Sequence, residues 1–384
     1  MKRVWQDERG IALAIAIFAL VVVGALVAGA FFAGTQEQRV GVNSRRVQQS
    51  FGVAEVGAAE RLATWRPESL NGRGVYPTDS VSIALTRAPF GTGSYGGVVY
   101  KLYNSMFLID INGADWASRA GRTQGGTGAR QRVGLLTRLD PVQLDIQASL
   151  TTQGTVILKG TAAVNGNDQY PTGWLDCGPL EDALAGIRAQ PGAKIDTAGG
   201  ASVSGSPLVL RDATLADSTF TNFSGVTYAE LAAGATVTLP GGVYKTTPTF
   251  VGGKCNTADP TNWGDGQNPS SACGSYFPIV HITGSATLNG SQGQGLLLVD
   301  GDLTVDGGYE WFGITIVQGS FETAGGGKSP AHFWGATLAR NADLDVQDMA
   351  GHATVNYSSC GVRKALQATS RPTMLRSRGW VQLY

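Results

Sequence analysis

The chain has few of the residues on which catalysis and metal binding usually depend. Among 384 residues there are three histidines and four cysteines. No two cysteines have the C-x-x-C spacing of zinc or thioredoxin-type sites, and His281, His332 and His352 show no metal-ligand spacing. The sequence also lacks G-x-S-x-G, H-E-x-x-H and P-loop motifs. We therefore predict no enzymatic activity, no cofactor and no metal site.

Charged residues are also scarce. They make up 15% of the chain, and 29 basic residues balance 29 acidic ones. Because no basic excess exists to hold a polyanion, a nucleic-acid partner is not expected. Glycine, in contrast, is abundant with 54 residues, and it lies with Asn, Ser, Thr and Asp between short apolar runs. This composition is typical of a turn-rich β protein.

One long apolar run stands out near the beginning of the chain. Residues 11–34 carry no charge and follow a charged ten-residue segment that ends in Gly10. As a helix this run would be roughly 36 Å long, enough to cross a hydrocarbon core of about 30 Å. A removable secretory signal has a shorter apolar core of about 7–15 residues. The run is therefore predicted to be a transmembrane helix, and a plain single-span anchor is one interpretation of it.

The residues Glu8, Arg9 and Gly10, followed directly by the apolar run, resemble the leader of type IV prepilins. The resemblance implies that a prepilin peptidase cuts between Gly10 and Ile11, with the N-terminus in the cytoplasm. It further implies anchorage in a bacterial inner membrane, followed by packing against other pilin-like subunits in a pilus or at the cell surface. The residues expected to face the membrane or neighbouring subunits include Ile15, Phe18, Leu20, Phe31 and Phe32.

Lys and Arg do not decide the membrane orientation. Three of these residues precede the apolar run and three follow it closely: Lys2, Arg3, Arg9, Arg39, Arg45 and Arg46. The cytoplasmic position of the N-terminus therefore depends on the resemblance.

Two further details narrow the resemblance. Ile15 occupies the fifth position after the expected cut, where major pilins carry a glutamate, so a repeating shaft subunit is not expected. Residues 48–57 resemble the segment that follows the anchor in PilX-type minor pilins, with Ala54, Glu55 and Gly57 as direct matches. The resemblance thus implies a minor or tip subunit of a type IV pilus or a related pseudopilus.

The apolar run is predicted to continue as one helix to residue 66. An apolar stripe at helical spacing extends beyond the membrane segment, and Pro67 is expected to end the helix. We expect the stripe to pack on the following domain. Its members are Val40, Val47, Phe51, Ala54, Leu62 and Trp65.

The rest of the chain is predicted to contain a small β-rich domain with a linker (67–175), a β-solenoid (176–365) and a C-terminal strand or tail (366–384), which makes the fold class α+β. Short β-type runs separated by turn residues favour an antiparallel meander in the small domain. The predicted strands there are 81–85, 98–102, 106–111 and 131–139, with two more at 143–150 and 154–160. One later helix is predicted at 180–190.

The solenoid prediction depends on an internal repeat. Residues 282–290 align with 299–307 and 317–325, and more loosely with 339–346. One such unit cannot bury its own apolar residues, whereas stacked units can. The repeat resembles a bactofilin-like or parallel β-helix stack, and a β-sandwich of hairpins is the alternative. The side chains predicted to lie above one another are Ile282, Val299 and Val317 in one row and Leu288, Val305 and Thr323 in a second.

The four cysteines indicate disulfides in an oxidising compartment. Cys255 and Cys273 bracket a loop rich in turn residues, and Cys177 would then pair with Cys360 by elimination. Free buried thiols and the other two connectivities stay open on the sequence alone.

Two other functions are conceivable. Exposed Tyr309, Trp311 and Trp334 would make the protein a surface adhesin that binds glycan. In the alternative, Phe312 and Phe333 fill the solenoid interior and Trp311 alone is exposed. Paired carboxylates would suit a polysaccharide-active enzyme or calcium, although Asp is also the ordinary turn residue. The carboxylates concerned are Asp300, Asp302, Asp306, Asp343, Asp345 and Asp348.

Overall fold

The computed structural model describes residues 9–383 except 92, 104, 116–127, 141, 143, 175–176, 224–225, 325–329, 345–352, 376 and 378. The fold is α+β. One long N-terminal helix leads into an antiparallel sheet, and most of the remaining strands form a second, largely parallel sheet.

Helix α1 covers Arg9–Ala63, 55 residues in all. Among the described residues, the part of α1 from Ala12 to Ala63 is one helix that is long and apolar enough to cross a membrane. The helix ends before Pro67, as predicted, and this proline opens the short helix α2 (Pro67–Leu70).

The antiparallel sheet is the predicted meander. It consists of β1 (Val81–Arg87), β2 (Gly93–Tyr103), β3 (Met106–Asp115) and β4 (Arg130–Leu139), paired in that order. Two strands from the end of the chain complete it, because β23 (Pro372–Met374) and β24 (Trp380–Leu383) both pair with β4. The meander packs its inner face on α1 through Phe107, Ile109, Ile111, Val133 and Leu135, all at most 1% exposed.

The second sheet, called the parallel stack below, contains strands from residues 148–357 that pair in parallel, layer on layer. Its middle layers follow the chain in order. They are β14 (Val237–Thr246), β17 (Ile279–Gly290), β18 (Gln292–Val299), β19 (Leu303–Asp306), β20 (Glu310–Ala324), β21 (Ala331–Leu344) and β22 (Ala353–Tyr357).

Earlier segments of the chain form the far end of the parallel stack, where residues 150–152 and 156–158 pair with β21 and residues 163–165 pair with β22. The strands of this end are β5 (Ala148–Thr152), β6 (Val156–Leu158), β7 (Ala163–Asn165), β8 (Ala185–Ala189), β9 (Ile195–Thr197), β10 (Ser202–Ser204) and β11 (Val209–Arg211).

Short elements connect or cover the strands of the two sheets, and one of them, the 3-10 turn Pro89–Gly91, lies between β1 and β2 of the meander. They are two hairpins (β12, Asn222–Phe223, with β13, Val226–Thr227; β15, Phe250–Val251, with β16, Lys254–Cys255), two 3-10 turns (Pro89–Gly91, Asp217–Phe220), α3 (Tyr228–Ala233) and α4 (Ser359–Thr369).

Both predicted rows of the repeat are confirmed. Ile282 pairs with Val299 and Val299 with Val317, while Leu288 pairs with Val305 and Val305 with Thr323. The apolar members of both rows are fully buried, so successive layers bury side chains that one layer alone would leave in water.

Glycines form a column where these strands turn a corner. Gly313 and Gly335 both have positive φ, 137° and 139°. A Cβ on Gly335 would lie 1.8 Å from the carbonyl oxygen of Gly313, and one on Gly313 would lie 2.1 Å from that of Gly295. Both the backbone conformation and the close approach of adjacent layers therefore require glycine here.

Two sequence predictions are wrong. Residues 180–190 do not form a helix; β8 (Ala185–Ala189) lies there, with all five residues buried between two parallel neighbours. The boundary at 175 also differs, because β5–β7 pair in the parallel stack rather than in the meander. In both cases long-range strand pairing decides the structure, and local composition does not report it.

Candidate functional site: the apolar helix and its junction with the β body

The membrane-length part of α1 has no partner in the described chain. The side chains named as assembly residues are all highly exposed: Ile15 62%, Phe18 70%, Leu20 75%, Phe31 75% and Phe32 64%. A continuous apolar surface of this kind requires lipid or another protein to cover it. Gly10 and Ile11 lie in the first turn of α1, and processing between them stays a prediction.

The last turns of α1 are fixed to the meander. Val53, Ala54 and Ala58 are at most 3% exposed, which confirms the expected packing for this part of the stripe. Val40 and Val47, nearer the membrane segment, are 66% and 42% exposed. The stripe therefore packs on the β body only over its last four turns.

Gly57 allows this close packing. A Cβ built on Gly57 would lie 2.5 Å from the ring of Tyr95 on β2. The Tyr95 hydroxyl then donates a hydrogen bond to Glu60 Oε2, one turn further on, at 2.5 Å. Burial, and then this bond to a carboxylate, raise the pKa of Tyr95 to about 12. The contacts of Tyr95 with Gly57 and Glu60 thus hold the helix and the sheet together.

We expect Gly57→Ala to lower the free energy of unfolding by about 1–3 kcal/mol, because the added methyl overlaps the Tyr95 ring. Gly52 in the same helix is a matched control, since a Cβ there would meet nothing within 4 Å. Gly52→Ala should raise stability by up to about 1 kcal/mol through helix propensity. Urea denaturation followed by tryptophan fluorescence measures both, and stabilisation by both alanines would contradict the packing described.

Asn71 joins the helix end, the meander and α4. It is fully buried, and its Oδ1 accepts a hydrogen bond from Trp65 Nε1 at 2.7 Å. Its Nδ2 donates to the carbonyl oxygens of Gln367 and Ser370, while its own carbonyl oxygen accepts from Lys101 Nζ at 2.8 Å. Burial lowers the pKa of Lys101. Nothing in the sequence singles out Asn71, because its partners lie up to 299 residues away.

Both predicted disulfides are present. Cys177 is bonded to Cys360 and Cys255 to Cys273, which accounts for every cysteine in the chain. The first ties the loop before β8 to the beginning of α4, and the second closes the loop that follows β16. All four cysteines are thus used in holding the β body together.

The aromatic residues proposed for glycan binding do not form an exposed face. Tyr309, just before β20, and Trp311, on β20, are fully buried in the core of the parallel stack, where Trp311 meets Trp263 edge to face at 6.2 Å. Phe312 and Phe333 are 2% exposed. Trp334 is half-buried beside His332. The prediction that Tyr309 and Trp311 are exposed and bind glycan is therefore wrong.

The acidic residues hold turns and neighbouring layers in place. Asp302 Oδ1 accepts a hydrogen bond from the Ser320 backbone N–H of the next layer at 2.8 Å. Asp300 Oδ1 lies 3.0 Å from His281 Nε2 and accepts a hydrogen bond from the Tyr228 hydroxyl at 2.8 Å. In the described part of the chain no group of three or more His, Cys, Asp or Glu residues could hold a metal ion. Asp345, Asp348 and His352 lie outside the described residues.

Comparisons with known proteins find little similarity to this chain. No protein-family model matches the chain, and no curated protein matches it. Among solved structures, the competence-associated pilin ComZ from Thermus thermophilus is similar at a TM-score of 0.26 and 13% sequence identity, over 88% of this chain and 98% of that one. Similarity this low gives no information about function. The evidence for function is therefore taken from the chain itself.

Proposed function

We propose that the protein is a membrane-anchored, pilin-like structural subunit. One observation carries the proposal: a single 55-residue helix whose apolar first half has no partner in the described chain, while its last turns are fixed to a folded β body. Such a helix can lie in a bilayer before assembly and pack against equivalent helices afterwards. The proposed partners are the bacterial inner membrane, a prepilin peptidase and other pilin-like subunits.

The finer assignment is a minor or tip subunit of a type IV pilus or a related pseudopilus, with the N-terminus in the cytoplasm before assembly. The leader residues Glu8 to Gly10, the PilX-like segment 48–57 and the apolar residue Ile15 support it. In this proposal the parallel stack is a β-solenoid of the bactofilin-like or parallel β-helix kind, which its in-register layers support. So large a body suits a filament end, and the proposed role is structural rather than enzymatic.

N-terminal sequencing of the membrane-extracted protein tests the proposal. From cells with an active prepilin peptidase we expect a chain that begins at Ile11. Gly10→Val should leave the full chain beginning at Met1, because it changes the residue after which the proposed cut falls, whereas Gly24→Val within the apolar run should still be cleaved.

Recovery of an intact Met1 chain from such cells would contradict the proposal and indicate a tethered envelope protein instead.

Immunogold labelling then tests the position of the subunit along a filament. Label at filament ends is expected, and even labelling along the shaft would contradict the tip assignment.

A further inference from the structure

Three side chains from three neighbouring strands form one row on the outer face of the parallel stack. Leu338 on β21 pairs with Thr151 on β5, and Thr151 pairs with Arg188 on β8. In-register residues of parallel strands point to the same side, about 4.8 Å apart. The row lies beneath the covering segment that includes the 3-10 turn Asp217–Phe220 and hairpin β12–β13.

Between the described residues of the covering segment and this row lies a cavity of about 420 Å³. Its size is within the range of small-molecule sites, about 300–1,000 Å³. The lining combines apolar side chains with hydroxyl, amide, carboxylate and guanidinium groups. The apolar lining residues are Leu144, Ile146, Phe223 and Leu338, and the polar ones are Asp145, Thr151, Arg188, Ser218, Thr219 and Asn222.

Arg188 has donors left over at this cavity. The residue is 8% exposed, and its Nε and Nη2 both donate to Asp212 Oδ2, at 2.9 and 2.5 Å. A guanidinium has five N–H groups, so about three are left without an acceptor among the described residues. Because Arg188 lines the cavity, a molecule bound there can accept hydrogen bonds from these remaining N–H groups.

Thr151 is in the same situation. It is 4% exposed, and its hydroxyl makes no hydrogen bond within the described chain. Its neighbour Thr152, on the opposite face of the strand, donates to the Arg340 carbonyl oxygen at 2.9 Å. The row therefore presents donor groups from Arg188 and a hydroxyl from Thr151 to the same space.

The charges favour a neutral occupant. Hydrogen bonds from the hydroxyl and backbone N–H of Thr214, and then from Arg188, lower the pKa of Asp212 to about 2, so the Arg188–Asp212 pair carries no net charge at neutral pH. Asp145 adds a carboxylate at the cavity, where it accepts a hydrogen bond from Gln147 Nε2 at 2.6 Å. An anionic ligand would meet this carboxylate without a free cation to balance it.

We propose that this cavity binds a neutral saccharide. Ring hydroxyl and N-acetyl oxygens accept hydrogen bonds from Arg188 and Thr151, Asp145 and Asn222 engage further hydroxyls, and the apolar C–H face of the sugar lies against Phe223 and Leu338. The site is distinct from the buried aromatic residues considered above, and it does not depend on the pilin-like function.

Ligand-detected saturation-transfer NMR on the full chain, in a detergent without a sugar headgroup, tests this site. The probes are N-acetylglucosamine and galactose as neutral sugars, with glucuronic acid and N-acetylneuraminic acid as anionic ones. We expect saturable binding of at least one neutral sugar and weaker or no binding of the anionic pair. Absence of saturable binding, or binding of the anionic sugars alone, would overturn the proposal.

Three variants locate the binding. Thr151→Val keeps the shape of the side chain and should weaken sugar binding roughly fivefold to tenfold, the effect of about one lost hydrogen bond. Leu338→Trp should fill the cavity and abolish binding. Thr152→Val, a neighbouring threonine of similar burial that faces away, should bind as the parent does. Unchanged binding by folded Thr151→Val and Leu338→Trp proteins would place the sugar elsewhere and refute the assignment.

Discussion

Replacing Trp311 with alanine is expected to lower the free energy of unfolding by about 3–5 kcal/mol. The indole is fully buried in the parallel stack. The neighbouring layer makes room for it, because a Cβ on Gly293 would lie 2.6 Å from Trp311 Cζ3. Truncation therefore removes a large apolar contact and leaves a cavity that rigid layers on both sides cannot close. Guanidinium unfolding followed by far-UV circular dichroism measures the loss.

Trp380 is the matched control for this prediction. It lies on β24 at the margin of the meander and is 40% exposed. We expect Trp380→Ala to cost under about 1 kcal/mol, since water already reaches much of the ring. If the two substitutions lower the free energy of unfolding equally, Trp311 is not a core residue, and glycan binding by an exposed Trp311 would have to be considered again.

Removal of the disulfide between Cys177 and Cys360 should have the second large effect. The two residues are 183 positions apart, and the chain-entropy model gives about 5 kcal/mol for a loop of this length. The double variant Cys177→Ala with Cys360→Ala avoids burying new hydroxyl groups, because both positions are at most 2% exposed. Differential scanning calorimetry should show a much lower melting temperature than for the parent.

The second disulfide serves as the internal comparison. Cys255 and Cys273 are 18 positions apart, for which the same model gives about 3 kcal/mol. Replacing this pair with alanines should therefore cost less than replacing the long-range pair. The reverse order of melting temperatures would mean that local strain or packing, rather than loop length, governs the contribution of these bonds.

The sequence predicted those parts of the fold in which local pattern and long-range structure agree. The apolar run, the end of the helix before Pro67 and the meander all follow from composition, spacing and turn residues. The vertical rows through Val299 and Val305 followed from the repeat, because a constant step places equivalent residues above one another. The turn-rich loop between two of the four cysteines favoured the pairing that the structure shows, although the sequence alone left other pairings open.

The sequence failed where distant segments decide the outcome. Residues 185–189 have the composition of a helix, yet two parallel neighbours bury all of them and make a strand. The aromatic residues beside position 311 carry no signal that separates an inward from an outward side chain. The contacts of Asn71 and the row that contains Thr151 and Arg188 join segments that are hundreds or tens of residues apart, so only the folded chain brings them together.

The pairing of β23 and β24 with β4 has a consequence for the order in which the fold is completed. β4 stays incompletely paired until β23 and β24 arrive, and α4, just before them, provides the carbonyl oxygens that receive the Asn71 amide. The surface on which the end of helix α1 rests is thus completed by segments that lie about 300 residues further along the chain. Until those segments dock, the helix is held by the meander strands alone, so the docking of α4, β23 and β24 is the step that makes the junction rigid.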